Sequence, residues 1–337
     1  MRRGAIVRIT LIGVAVAILV TLVAVLIPWL PDPASRQMGR IEFLYWFATV
    51  ISIGIFAIVI AVLLYSVFAF RAAPDDDSDG PSIHGNTNLE IAWTVVPAIL
   101  VIAIGVVSAV ILSQNGEAGT NPMTIKVIGQ QFTWRFEYPD SKGLKSNELV
   151  MPVNRNITFQ LESVDVIHSF WIPQMGQKQD LVPGLPTHIV VTPTRMGTFT
   201  LICTELCGLG HATMRAPVRV VSQAAFDAWI KQQQSGGGSL SGAGAGKAVF
   251  TSAGCGGCHT FAPAGSTGAV GPNLANLAAD AKKANEELAA YVKESIVDPN
   301  KVIVAGYQPN VMPGNFAQSL SAKQIDALVS FLAAGSK

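Results

Sequence analysis

Three apolar runs in the first third of the chain, Ile9 to Leu30, Phe43 to Phe70 and Ile91 to Leu112, each reach the roughly 20 residues an α-helix needs to cross a bilayer. In lipid every backbone polar group must find its partner within the segment, so runs that are apolar on every side are expected to be helices. After Leu112 no stretch is long enough to span. The remaining two thirds of the chain is therefore expected as soluble modules on one side of the membrane. Half of the 337 residues are hydrophobic and only 13% are charged, more apolar sequence than a soluble protein of this size carries. A net charge of +1 argues against nucleic acid binding.

Arg2, Arg3 and Arg8 precede the first run and nothing comparable follows the later ones, which predicts a cytoplasmic N-terminus and an external C-terminal part. The loop from Arg71 to Glu90 would then be cytoplasmic, and its Asp75, Asp76, Asp77 and Asp79 count for little in this rule. The first run is read either as a cleaved secretion signal or as a retained helix, its apolar stretch being longer than the ~7–15 residues of a signal core. Residues 1–30 hold this segment, and residues 31–118 hold a hairpin of spans at about 43–70 and 91–112.

From about Asn121 to Val221 the pattern changes to short alternating or β-branched runs between Pro, Gly and Asn, as in Met123 to Ile128, Asn156 to Leu161, His188 to Thr192 and Thr198 to Cys203. This predicts an antiparallel β-sandwich or barrel, with a short helix over Gln223 to Gln234 closing a domain at 119–231. Residues 232–246, rich in Gly and Ser, read as a flexible linker with a root-mean-square reach of ~20 Å. The last module, 247–337, shows amphipathic helical patterns at Gly246 to Ala253, Asn285 to Val297 and Ser321 to Ala334, and Ser321 with Gln324 forms a capping-box pattern for the last.

Every cysteine falls into one of two clusters. In Cys203-Thr-Glu-Leu-Cys207-x3-His211-x2-Met214, thiolates, an imidazole and a thioether converge from one loop, a ligand set that favours copper. A disulfide is the plain alternative for an external pair, but it leaves His211 and Met214 unused. A blue single-copper site needs one cysteine and a zinc site no thioether, whereas two thiolates bridging two copper ions use the whole set. A second histidine is then required. His168, ending a strand-like run, is the choice over His188, whose neighbours read as an ordinary solvated strand. Cys255-Gly-Gly-Cys258-His259 carries the c-type haem attachment signature. No cysteine or histidine follows His259, and Met312 is the single methionine after Met214, which makes Met312 the candidate sixth ligand.

With these residues in view, 43–221 resembles subunit II of the haem-copper cytochrome c oxidases, further supported by Leu89-Glu90-Ile-Ala-Trp93 and Lys178-Gln-Asp180-Leu-Val-Pro183-Gly184. Gly271-Pro-Asn-Leu274 and Val311-Met312-Pro-Gly314 resemble class I c-type cytochromes. The resemblance implies a multidomain membrane protein: a transmembrane α-helical hairpin, an all-β cupredoxin Greek-key barrel and an all-α cytochrome c domain. It implies that Cys203 and Cys207 bridge a binuclear CuA centre, His168 and His211 bind one copper each, and Met214 and the Glu205 carbonyl are axial. By the same resemblance the Glu205 carboxylate reaches a magnesium ion at the catalytic subunit, and Glu90 stands at the mouth of a proton-uptake path, although a first-turn glutamate also simply suits the helix dipole. Phe132 departs from the family, standing where a tryptophan receives electrons from soluble cytochrome c. The fused haem domain is the expected replacement for that donor.

The implied function is electron entry into a terminal oxidase: from an external donor, such as a quinol–cytochrome c oxidoreductase or a small cytochrome, through haem c and CuA to a haem in catalytic subunit I, with a third subunit expected. Oxygen reduction and proton pumping would belong to that partner, and this chain holds no oxygen-reducing site. The implied location is a bacterial plasma membrane, multi-pass, with both redox domains on the outer face. The same donor module would also suit a membrane nitric oxide reductase. A membrane-anchored copper-delivery protein is the reading from another class, opposed by a covalent haem, and quinol oxidases are disfavoured because all copper ligands are present.

Overall fold

The computed structural model describes residues 3–71, 75, 80, 82, 84–234, 243–314 and 316–336. Arg2, the acidic Asp76, Asp77 and Asp79, and linker residues 235–242 lie outside them. The chain divides into two compact units, Met1–Asp32 with Gly39–Asn115, and Pro33–Met38 with Gly116–Lys337.

The first unit contains α1 (Arg3–Leu26), α2 (Arg36–Ala69) and α3 (Thr87–Gly116), all long and apolar enough to cross a membrane. Almost none of their most apolar windows is buried by the protein itself, the pattern of helices solvated by lipid. Gly13 of α1 faces Ala61 of α2, where an added Cβ would meet the alanine methyl at 3.5 Å. Arg40 donates to the Gln114 carbonyl at 2.9 Å, satisfying an acceptor that the end of α3 leaves free.

In the second unit ten strands form two five-stranded sheets. Strands β1 (Met123–Gln130), β2 (Thr133–Tyr138), β3 (Leu144–Ser146), β4 (Leu149–Pro152), β5 (Ile157–Ser163), β6 (His168–Trp171), β7 (Lys178–Leu181), β8 (Thr187–Val191), β9 (Gly197–Cys203) and β10 (Arg215–Val221) are arranged as β3-β2-β1-β5-β8 and β4-β10-β9-β6-β7. The expectation of a purely antiparallel sheet needs correction, because β1 pairs with β5 and β4 with β10 in parallel. Alternation reveals which face a strand buries, not which neighbour it takes. Both parallel partners are separated by other strands, as parallel pairing requires a crossover. Trp134, Phe136 and Tyr138 of β2 point inward at period two and are buried, with Phe159 and Phe170 packed at 4.9 Å between ring centroids. Helix α4 (Gln223–Gln234) adds Phe226 and Trp229 to this core beside Tyr138.

The C-terminal part is helical: α5 (Ala243–Ser252), α6 (Cys255–Cys258), α7 (Leu277–Ala284), α8 (Leu288–Val297), α9 (Phe316–Ser319) and α10 (Ala322–Gly335), with a small hairpin of β11 (Thr260–Phe261) and β12 (Ser266–Thr267). Ser321 and Gln324 make the expected capping box on α10. Helix α5 starts inside the segment read as linker. Its Gly246 lies so close to α10 that a Cβ would sit 2.3 Å from the Ala327 carbonyl oxygen. This glycine serves helix packing rather than chain flexibility.

Candidate metal and haem centres

Strand pairing assembles the first centre. β6 runs antiparallel to β9 with Phe170 opposite Cys203, so His168 and Cys203 meet at one end of the sheet. The loop after β9 turns back through Cys207 and a 3₁₀ turn at His211–Thr213 and re-enters the sheet as β10, closed by Cys203 N–H donating to the Met214 carbonyl at 3.1 Å. The Sγ atoms of Cys203 and Cys207 stand 3.8 Å apart as free thiols. His168 Nδ1 lies 3.9 Å from Cys203 Sγ, His211 Nδ1 3.6 Å from Cys207 Sγ, and Met214 Sδ 3.7 Å from Cys207 Sγ. Cys203 Sγ is 3.3 Å from the Glu205 carbonyl oxygen. All six residues singled out in the sequence thus converge on one site. The Glu205 side chain is exposed, and His188 is exposed on β8, paired with Gln160 away from the site.

Asp165 fixes the orientation of His168. Its Oδ1 accepts from His168 Nε2 at 2.8 Å and so turns Nδ1 toward the sulfurs, where that nitrogen donates to Cys203 while protonated and would offer its lone pair to a metal once the proton is lost. Asp165 also accepts the backbone N–H of Gln131 at 2.7 Å, and the Gln131 amide donates to the Cys207 carbonyl at 2.5 Å. Burial opposes ionisation of Cys203, but hydrogen bonds from His168 and from the Ser169 backbone outweigh it and hold the thiol down at about 6. Burial, reinforced by the neighbouring Cys203 charge, pushes Cys207 up to about 12. A cation between the sulfurs would remove that conflict, and soft donors with two imidazoles fit copper. Gly129 completes the pocket: a Cβ there would meet the His168 ring at 3.0 Å. Asp165, Gln131 and Gly129 were not among the residues assigned from sequence. Their roles depend on strand pairing, which short motifs do not report.

The second centre is a cavity of about 360 Å³. Cys255, Cys258, His259 and Met312 all line it, among apolar walls that include Leu274, Val292 and Ile303. His259 Nδ1 donates to the Pro272 carbonyl at 2.8 Å, leaving Nε2 free to bind a metal. Burial holds its pKa below the ordinary histidine value, the Pro272 bond offsetting only part, so the ring is neutral and ligand-competent. A Cβ at Gly271 would fall 2.5 Å from the His259 ring, so this glycine makes room for the imidazole. Burial pushes the Cys255 thiol up to about 12 and raises Cys258 as well. These are neutral thiols in an apolar cavity, which suits thioether attachment of a haem rather than thiolate binding of a bare ion. Glu90, in the first turn of α3, accepts from Asn86 N–H at 3.2 Å and so serves the helix start.

Family models match along the chain: cytochrome c oxidase subunit II, transmembrane domain, over residues 23–111; the periplasmic domain of the same subunit over 144–222; and cytochrome c over 243–336. The chain is 31% identical over 301 residues, covering 84% of each protein, to cytochrome c oxidase subunit 2 of Alkalihalophilus pseudofirmus. It is 32% identical to that of Bacillus sp. strain PS3, covering 78% of this chain and 79% of the relative. Among solved structures, the periplasmic domain of subunit II of cytochrome oxidase from Bradyrhizobium japonicum is 32% identical, with a TM-score of 0.34, covering 35% of this chain and 98% of that one.

Proposed function

The chain belongs to the cytochrome c oxidase subunit II family and carries a fused cytochrome c domain, and from that premise we propose that it is the electron-entry subunit of its oxidase. Family membership makes it a membrane-bound subunit of a haem-copper oxidoreductase that associates with catalytic subunit I, and it implies copper and haem. In the proposed role the cytochrome domain would receive electrons from an external donor on a haem c, and the β-domain would deliver them by way of a CuA pair to subunit I, where oxygen reduction would drive proton pumping.

The single observation that carries this reading is the convergence of two thiols, two Nδ1 atoms, one thioether and one carbonyl within 3.3 to 3.9 Å of a sulfur neighbour. In our assignment Cys203 and Cys207, with His168 and His211, would hold the copper pair. Met214 and the Glu205 carbonyl would complete that ligand set as its weaker donors. The exposed Glu205 carboxylate is assigned to a magnesium ion at the subunit I interface, and Glu90 to a proton-uptake path in addition to its place at the helix start. His259 and Met312 are assigned as the residues that would ligate the haem iron, a ligand pair that would raise its potential. The arginine-rich start supports a plasma-membrane orientation with both redox domains outside.

Metal and haem counting with paramagnetic resonance of the purified complex tests this. Two coppers giving a delocalised mixed-valence spectrum, with one covalent haem per chain, are expected. One copper, or zinc at this site, would overturn the assignment.

A further inference from the structure

The cavity assigned to haem is not closed by the cytochrome domain alone. Phe132, Thr133 and Leu209 of the β-domain line it alongside His259 and Met312. Phe132 sits in the turn between β1 and β2, and its ring lies over the backbone of the copper loop. A Cβ at Gly210 would come within 2.4 Å of that ring, and one at Gly208 within 3.2 Å. Leu209, between those glycines, is 80% exposed although large and apolar. A second contact joins the same two loops: Gly257, inside the Cys-Gly-Gly-Cys turn, has Thr213 of the His211–Thr213 turn 3.3 Å from where its Cβ would be.

We propose that the haem pocket is composite, with Phe132 and Leu209 of the copper domain forming the wall against which the cytochrome domain docks in a fixed position. This rests on the electron-entry reading and adds that the tethered domain does not need to swing. Docking of apolar wall on haem edge accounts for the exposure of Leu209, whose side chain would be covered once haem fills the cavity. It also accounts for two glycines bracketing a leucine, since side chains at 208 or 210 would displace the Phe132 ring from its place between the centres. Gly257 permits the close approach of the attachment turn to Thr213. With Phe132 covered in this way, a separate cytochrome has no access at the edge where the family carries tryptophan.

Pulsed dipolar resonance between oxidised haem and the copper signal in the full-length complex, paired with amide hydrogen exchange over residues 131–133 and 206–213, tests the dock. The wild type is expected to give one narrow distance distribution and protection of both segments. Gly257→Trp and Leu209→Asp, each compared with the wild type at matched copper and haem loading, should broaden the distribution and raise exchange at least tenfold. A broad wild-type distribution, or exchange in both variants equal to wild type, would overturn the dock. Loss of the copper or haem signal in the wild type would instead count against the electron-entry reading, and the exchange comparison would still decide whether the domains dock.

Discussion

Asp165 turns His168 into a one-directional ligand, because the hydrogen bond at Nε2 leaves Nδ1 alone to face the sulfurs. Asp165→Ala is expected to weaken copper retention about 10–100-fold, the usual loss when a partner behind a ligand is removed. Copper per chain after dialysis against a graded chelator series measures it, and wild-type retention would show that packing against Trp134 suffices to orient the ring. Cys203→Ser should be harsher and abolish binding of the pair. The ligands themselves were legible in the sequence because residue type and loop spacing report chemistry directly. Their supports were not: Gly129 faces His168 only because β1 of one sheet passes behind β6 of the other.

At the scale of elements, capping and core placement make separate contributions. Ser321→Ala removes one half of the capping box on α10 and is expected to cost about 1 kcal/mol, measurable as a lowered urea midpoint for the cytochrome domain. Tyr138 ties β2 to β4 by donating to the Val150 carbonyl at 3.1 Å and accepting from Val150 N–H at 2.8 Å. Burial raises its pKa well above the ordinary value of 10.0. A raised folded-state pKa means that this contribution is complete below pH 10 and is lost as pH climbs toward the folded value, since the unfolded chain ionises first. Stability of the β-domain should therefore fall above pH 10, and Tyr138→Phe should flatten that slope while costing about 1–3 kcal/mol at neutral pH. Strands such as β1 and β9 were readable from alternation. The parallel pairings were not, nor was α7, whose eight residues are too short a run to show a helical period on their own. Gly246 was assigned to the linker by composition, whereas its contact with Ala327 makes it part of the α5–α10 crossing.

At the scale of the whole molecule, apolar runs, β-alternation and amphipathic helices each announced a separate architecture, and the described residues hold all three: long apolar helices, two five-stranded sheets and a helical C-terminal part. What no single segment announced is that loops of the β-domain and of the cytochrome domain line one cavity. In the proposed function an electron given to the cytochrome domain reaches the copper pair within the same chain. Rapid injection of less than one electron per chain, followed at the haem and copper absorption bands, tests this most directly. Haem reduction is expected first, then haem reoxidation at the same rate as copper reduction, with that rate independent of protein concentration. A rate proportional to protein concentration, or copper reduced with the haem bypassed, would contradict it.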